Sequence, residues 1–207
     1  MAKKSPPAKA SCTAPDSPNT VALFQAALGS QMNAALDMIE ECLAKCPKEH
    51  WTALIARQHF WEVAYHALCF TDFYLAPTSR AWKPDTPARA RASGHAALHP
   101  AGRDELWNDH PSREFSKEEL LRYIAIIRTT LDHAMSIETA DVLAGPSGFS
   151  WISGPRLDTH LYNLRHIAHH VGQLSASLRK VGVKTAWAKE RIGSSAGVSS
   201  KWLGKDA

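Results

Sequence analysis

"NLRHIAHHVGQL", Asn163–Leu174, sets three histidines within five positions and no acidic side chain beside them. Histidine is a middling helix former, and burying it without a partner costs free energy. A helix that carries such a cluster therefore needs something to compensate it. At about 100° per residue, the helix around this stretch divides into faces. Leu161, Leu164, Ala168, Val171, Leu174, Ser175 and Leu178 form an apolar stripe. Arg165, His169, Gly172, Ala176, Arg179 and Lys180 fall roughly opposite and read as solvent-facing. Between them runs a third line, Asn163, His166, His170, Gln173 and Ser177. His166 and His170 thus sit one turn apart beside the core, while His169 points to water. Rings at i and i+4 project from one side and suit a single cation. The spacing alone equally fits two partly buried, hydrogen-bonded histidines. A third ligand from another helix is what would decide between them.

Outward from this stretch, the pattern is helical throughout. The histidine helix starts near Asp158, after Pro155, and runs to Lys180. Upstream, "SKEE" at Ser116–Glu119 is a capping box. It opens a helix with Leu120, Ile124, Ile127 and Leu131 on one face, ended by "GPSG". Phe24, Leu28, Met32, Ala35, Ile39 and Leu43 recur at three and four, giving a first helix from Thr20 to about Lys45, stopped by Pro47. A second helix is predicted from about Lys48 to Leu75, with Leu54, Trp61, Tyr65, Leu68 and Cys69 as its stripe. Residues 77–115 are rich in Pro, Gly, Ala and Arg and hold no period, so they read as a long loop, a feature that is often functional. Its Trp82 and Trp107 either line a cleft or pin the loop to the helices. No alternating strand pattern appears. The expected fold is all-α, an antiparallel four-helix bundle over residues 20–180 with a long loop between helices two and three. A disordered leader, 1–19, precedes it, and a partly ordered extension, 181–207, follows.

Charge and cysteine usage exclude some functions. The net charge of +4 invites a nucleic-acid reading, but its location argues against one. Residues 1–18 carry +2, the chain from Lys180 onward carries +4, and the stretch between carries −2. Phosphate binding needs basic residues clustered on one folded element. No apolar run reaches the roughly 18 residues of a membrane span. Four cysteines, Cys12, Cys42, Cys46 and Cys69, contain no CxxC pair and suit a reducing cytoplasm better than a disulfide framework. Cys42 and Cys46, one turn apart, read as small apolar residues on a packed face rather than as a soft-metal pair. Exposed apolar faces are compatible with a homodimer, though no seam demands one.

The third ligand is sought on the second helix, in "RQHFWEVAYHALCFTDFYL". His59, Glu62, His66, Cys69 and Phe73 form one line there. His66 lies in a strongly apolar segment and needs a compensating partner, which metal coordination would supply. Glu62, one turn before it, is the nearest carboxylate on that line and a candidate general base, with Asp72 next. Either reads more readily as a cap or surface residue. His133 and the loop pair His95 and His99 are poorer ligand candidates. Gln173 and Asn163 suit either ligand orientation or ordinary interhelical hydrogen bonds.

A histidine in this aromatic-rich second helix, followed by "HIAHHVGQLSASLR" in the fourth, resembles the DinB-like, or YfiT-like, superfamily of metal-binding four-helix bundles. The resemblance covers about residues 20–180 and rests on few specific residues. Val171-Gly172-Gln173 after His170 is in the family's register, although Val171 stands where an arginine is usual. The resemblance implies one divalent metal ion (zinc, nickel or iron) held by His66, His166 and His170. It further implies a metal-dependent thiol S-transferase or hydrolase acting on a small molecule, with a low-molecular-weight thiol as partner. The alternative is a non-catalytic, stress-related binding module whose metal is structural or vestigial.

Overall fold

The computed structural model describes residues 19–84, 86, 98–108 and 110–190. The expected leader, apart from Asn19, and the extension from residue 191 lie outside the described residues, as do Cys12 and His95. The described chain is mostly helical: α1 (Thr20–Lys45), α2 (Phe60–Leu75), α3 (Lys117–Ile137), α4 (Ala140–Ala144) and α5 (Arg156–Lys180). No helix among the described residues is long and apolar enough to cross a membrane.

The ends of these helices follow from local chemistry. Asn19 caps α1 by accepting from the Val21 backbone N–H at 3.0 Å, and Pro47 follows its end. Ser116 caps α3, and Glu119 reaches back to the Ser116 N–H at 2.8 Å, completing the expected capping box. Leu28, Met32, Ala35, Ile39 and Leu43 of α1 are buried, with Phe24 partly so.

The second helix departs from expectation. It begins at Phe60 rather than Lys48. Residues 48–50 form a 3₁₀ turn, and a two-stranded hairpin, β1 (Leu54–Ile55) with β2 (Gln58–His59), precedes the helix. Ala56 adopts a left-handed φ of 58° in the hairpin turn, a conformation no helix can continue through. Leu54, expected on the buried stripe, is 64% exposed. The third helix also stops early, at Ile137. Thr139 then caps the short α4 by accepting from the Val142 N–H, and "GPSG" follows α4 instead. Its Gly148 has φ +83°, and a Cβ there would meet the Pro77 carbonyl oxygen at 2.1 Å, so this turn closes against the start of the long loop only as glycine.

α1 packs against α3 and α5, and α2 packs against the same two. Lys117 reaches the Ala44 carbonyl while Arg128 reaches Asp37, so α3 runs opposite to α1. His66 meets His170 while Tyr74 meets Tyr162, so α5 runs opposite to α2. The buried side of α5 is also shifted from the expected stripe. Leu161 is 50% exposed and Ala168 is exposed, whereas Asn163, Ile167, His170, Val171, Leu174 and Leu178 are buried. α5 touches both α1 and α2, and the side chain of Asn163 donates to the Thr71 carbonyl of α2 at 3.0 Å. The histidine line therefore lies closer to the core than its polarity suggested.

Candidate metal centre

Two helices running in opposite directions bring the histidines together. α2 supplies His66, and α5 supplies His166 and His170 one turn apart; one ligand nitrogen from each lies within 4.8 Å of the others. His166 Nε2 is 3.3 Å from His66 Nε2 and 3.1 Å from His170 Nε2. A ring nitrogen has one in-plane position, filled by either a proton or a lone pair. His166 Nε2 can therefore complete a hydrogen bond with only one of its two neighbours. A cation placed among three lone pairs satisfies all of them. Four-coordinate zinc, with bonds of about 2.0–2.1 Å, sets its ligand nitrogens roughly 3.3 Å apart, which is close to these separations. The residues present fit a divalent metal.

Gln173 fixes the tautomer. The His170 Nδ1–H donates to Gln173 Oε1 at 2.7 Å, which leaves the Nε2 lone pair directed at the cluster. This is the usual device for orienting a ligand ring. His166 differs, since its Nδ1 is buried with no hydrogen-bond partner among the described residues. His66 and His166 are half-buried, and His170 is 9% exposed. We expect Gln173→Ala to keep the fold and weaken zinc affinity by about 10- to 100-fold, measured by competition with a chromogenic chelator.

Burial and mutual repulsion keep the imidazoles neutral. Burial, then the neighbouring His170, pushes His66 down to about 4. Burial, then His170, His66 and His169, pushes His166 down to about 3. His170 is also lowered, chiefly by burial. Unfolded histidines take up protons near pH 6.5, whereas these native ones do so only well below that. The unfolded chain thus binds more protons as pH falls from about 6.5 toward 4 and 3, and stability is lost across that window. Metal-free protein is expected to show an unchanged denaturant midpoint between pH 7 and 8 and a clearly lower one at pH 5.

The other candidates fall elsewhere. Glu62 is buried, accepts from the His59 backbone N–H, and takes a hydrogen bond from His110 Nδ1 at 2.9 Å. Its carboxylate is committed to the start of α2. Asp72 accepts from Trp82 Nε1 at 2.8 Å and from the Tyr123 hydroxyl at 3.3 Å. Trp82 thereby pins the long loop, as does His99, buried and 2.8 Å from the Tyr123 hydroxyl. These contacts lie on the α3 side of α2, whereas His66 faces α5. His133 and His169 are exposed.

Cys42, Cys46 and Cys69 are all buried. Burial pushes Cys42 and Cys46 up to about 11 and raises Cys69 as well. At neutral pH these thiols are protonated and therefore poor nucleophiles. A Cys12→Ser variant is therefore expected to react with an aromatic disulfide reagent no faster than it unfolds, followed by absorbance at pH 8.

Sequence reasoning missed two features. One is the buried set Glu138, Arg156 and His160. Arg156 Nε and His160 Nε2 both meet Glu138 Oε1, at 3.0 and 2.7 Å. The other is a run of aromatic rings continuing the histidine lines. Its signal was present in the sequence, because Phe70 and Tyr74 repeat the spacing of four from His66. Searches of family models, of curated proteins and of solved structures each returned no match to this chain.

Proposed function

We propose that this chain is a metal-binding antiparallel four-helix bundle of the DinB-like kind, and that His66, His166 and His170 hold one divalent cation for chemistry on a small molecule. The convergence of three neutral Nε2 atoms from two helices carries this reading. Three protein ligands leave a coordination position free, the pattern of catalytic rather than closed structural zinc sites. A bound divalent metal supplies Lewis acidity there, lowering the pKa of a water or thiol held beside it. The chain's own part is to present three uncharged ligands, to hold His170 in one tautomer through Gln173, and to keep the cluster half-buried. With no carboxylate in the ligand set, the metal's charge stays uncompensated and favours an anionic partner such as hydroxide or thiolate. The reaction class that follows is thiol S-transfer or hydrolysis, with zinc, nickel or iron as the metal.

Glu62 supports a second reading. Its carboxylate is committed to His59 and His110, and the three-histidine group contains no carboxylate, which suits a non-catalytic module with a structural or vestigial metal. Zinc- and nickel-loaded protein assayed for activated-ester hydrolysis, and for conjugation of small thiols to an aryl halide, separates the two. Rates well above those of His170→Ala protein support the enzyme. Equal rates favour the binding module.

A further inference from the structure

The helix faces that carry the histidines do not end with them. On α2 the face runs His66, Phe70, Tyr74, and on α5 it runs back through His170, His166, Tyr162. Phe70 lies 4.6 Å from the His66 ring and 5.5 Å from His166. Tyr162 stacks on His166 at 6.3 Å with 14° between planes. Both rings are half-buried, and so are His66 and His166. The line continues to the surface, where Trp151 donates from Nε1 to the Tyr74 hydroxyl at 3.2 Å. Trp151 is 47% exposed, and Trp107, edge-on to it at 5.7 Å, is 62% exposed. Exposed large rings joined to a polar site mark a surface that takes a ligand.

Charge narrows the ligand further. The Arg165 guanidinium sits 5.2 Å above the Tyr162 ring, is exposed, and forms no ion pair among the described residues. No carboxylate belongs to the three-histidine group. Arg165 therefore places a positive charge beside an aromatic wall.

We propose that this site takes a small planar aromatic molecule carrying an anionic donor group. The donor occupies the metal's open position, the ring lies against Phe70 and Tyr162, and Arg165 adds positive charge at the rim. This inference rests on the metal reading above. A flat ring gains edge and face contacts with aromatic walls that a puckered ring of similar size does not, so Phe70 and Tyr162 set specificity for planarity.

Cobalt-loaded full-length protein provides the test, with the metal's visible absorption titrated by benzoate, cyclohexanecarboxylate and acetate. Benzoate is expected to bind about three- to tenfold more tightly than cyclohexanecarboxylate, with acetate weakest. Phe70→Leu is expected to remove most of that preference while cobalt stoichiometry stays unchanged. If circular dichroism shows that variant unfolded, Tyr162→Leu is read by the same criterion. Equal binding of the flat and puckered acids overturns the inference and leaves the metal site standing, as does a variant that keeps the full preference. Failure of the parent protein to take up cobalt overturns both.

Discussion

Elemental analysis of protein purified without an affinity tag is expected to return close to one divalent metal ion per chain, and His66→Ala and His170→Ala are each expected to lose it. Each variant leaves two imidazoles, and an i, i+4 pair or a cross-helix pair alone is a weak site. Ligand binding to the native state stabilises by mass action, about 2.7 kcal/mol at a metal concentration 100 times Kd. For a domain of this size each kcal/mol moves Tm by about 2–4 °C, so zinc or nickel should raise the parent's Tm by roughly 5–10 °C. Both variants should show no such rise. Protein that stays metal-free after incubation with either ion would show the three rings to be packing residues, and the function proposed above would fall.

The second large effect concerns Arg156. Its Nη1 and Nη2 donate to the carbonyls of Tyr74 and Leu75, at 3.2 and 3.1 Å, where the last carbonyls of α2 have no intrahelical N–H to accept from. Its Nε meets Glu138, and both side chains are 3% exposed. Burial works to raise the Glu138 carboxyl, but the contacts of His160 and Arg156 more than offset it and hold the group below the usual carboxylate range. Arg156→Ala strips α2 of two donors and leaves a buried carboxylate with one partner. Breaking such a pair costs about 3–5 kcal/mol, and we expect Tm to fall by at least 6 °C at neutral pH, measured by calorimetry. Arg156→Lys should recover only part of this, because one ammonium cannot reach all three acceptors in the guanidinium's planar fork. A loss under about 1 kcal/mol would show that the set does not hold the helix ends.

Much of this was legible in the sequence because periodicity and capping are local. The stripe of α1 and the Ser116–Glu119 box lie within single turns, so neighbouring residues alone disclose them. The pair His166 and His170 was legible for the same reason. The start of α2 was not, because the apolar spacing of Leu54 and Trp61 imitates a helix while the left-handed turn at Ala56 lies between them. Residues 138, 156 and 160 are far from the helix end that they hold, and no spacing rule joins Glu138 to the carbonyls of Tyr74 and Leu75. The displacement of α5's buried face has the same origin. Asn163 is polar, and only its tertiary partner, the Thr71 carbonyl, explains why it is buried.

His66 and His166 lie 100 residues apart, with the long loop and all of α3 between them. At roughly 5–20 residues per second of synthesis, His66 leaves the ribosome about 5–20 seconds before its partners. Through that interval α2 exists without the helix that covers His66 and Phe70. If the three histidines hold a cation as proposed, it finds all its ligands only after α5 has been made, unlike the closely spaced ligands of a small zinc finger. On that reading loading follows the synthesis of α5, and adding metal late to refolded protein tests whether it is separable from folding.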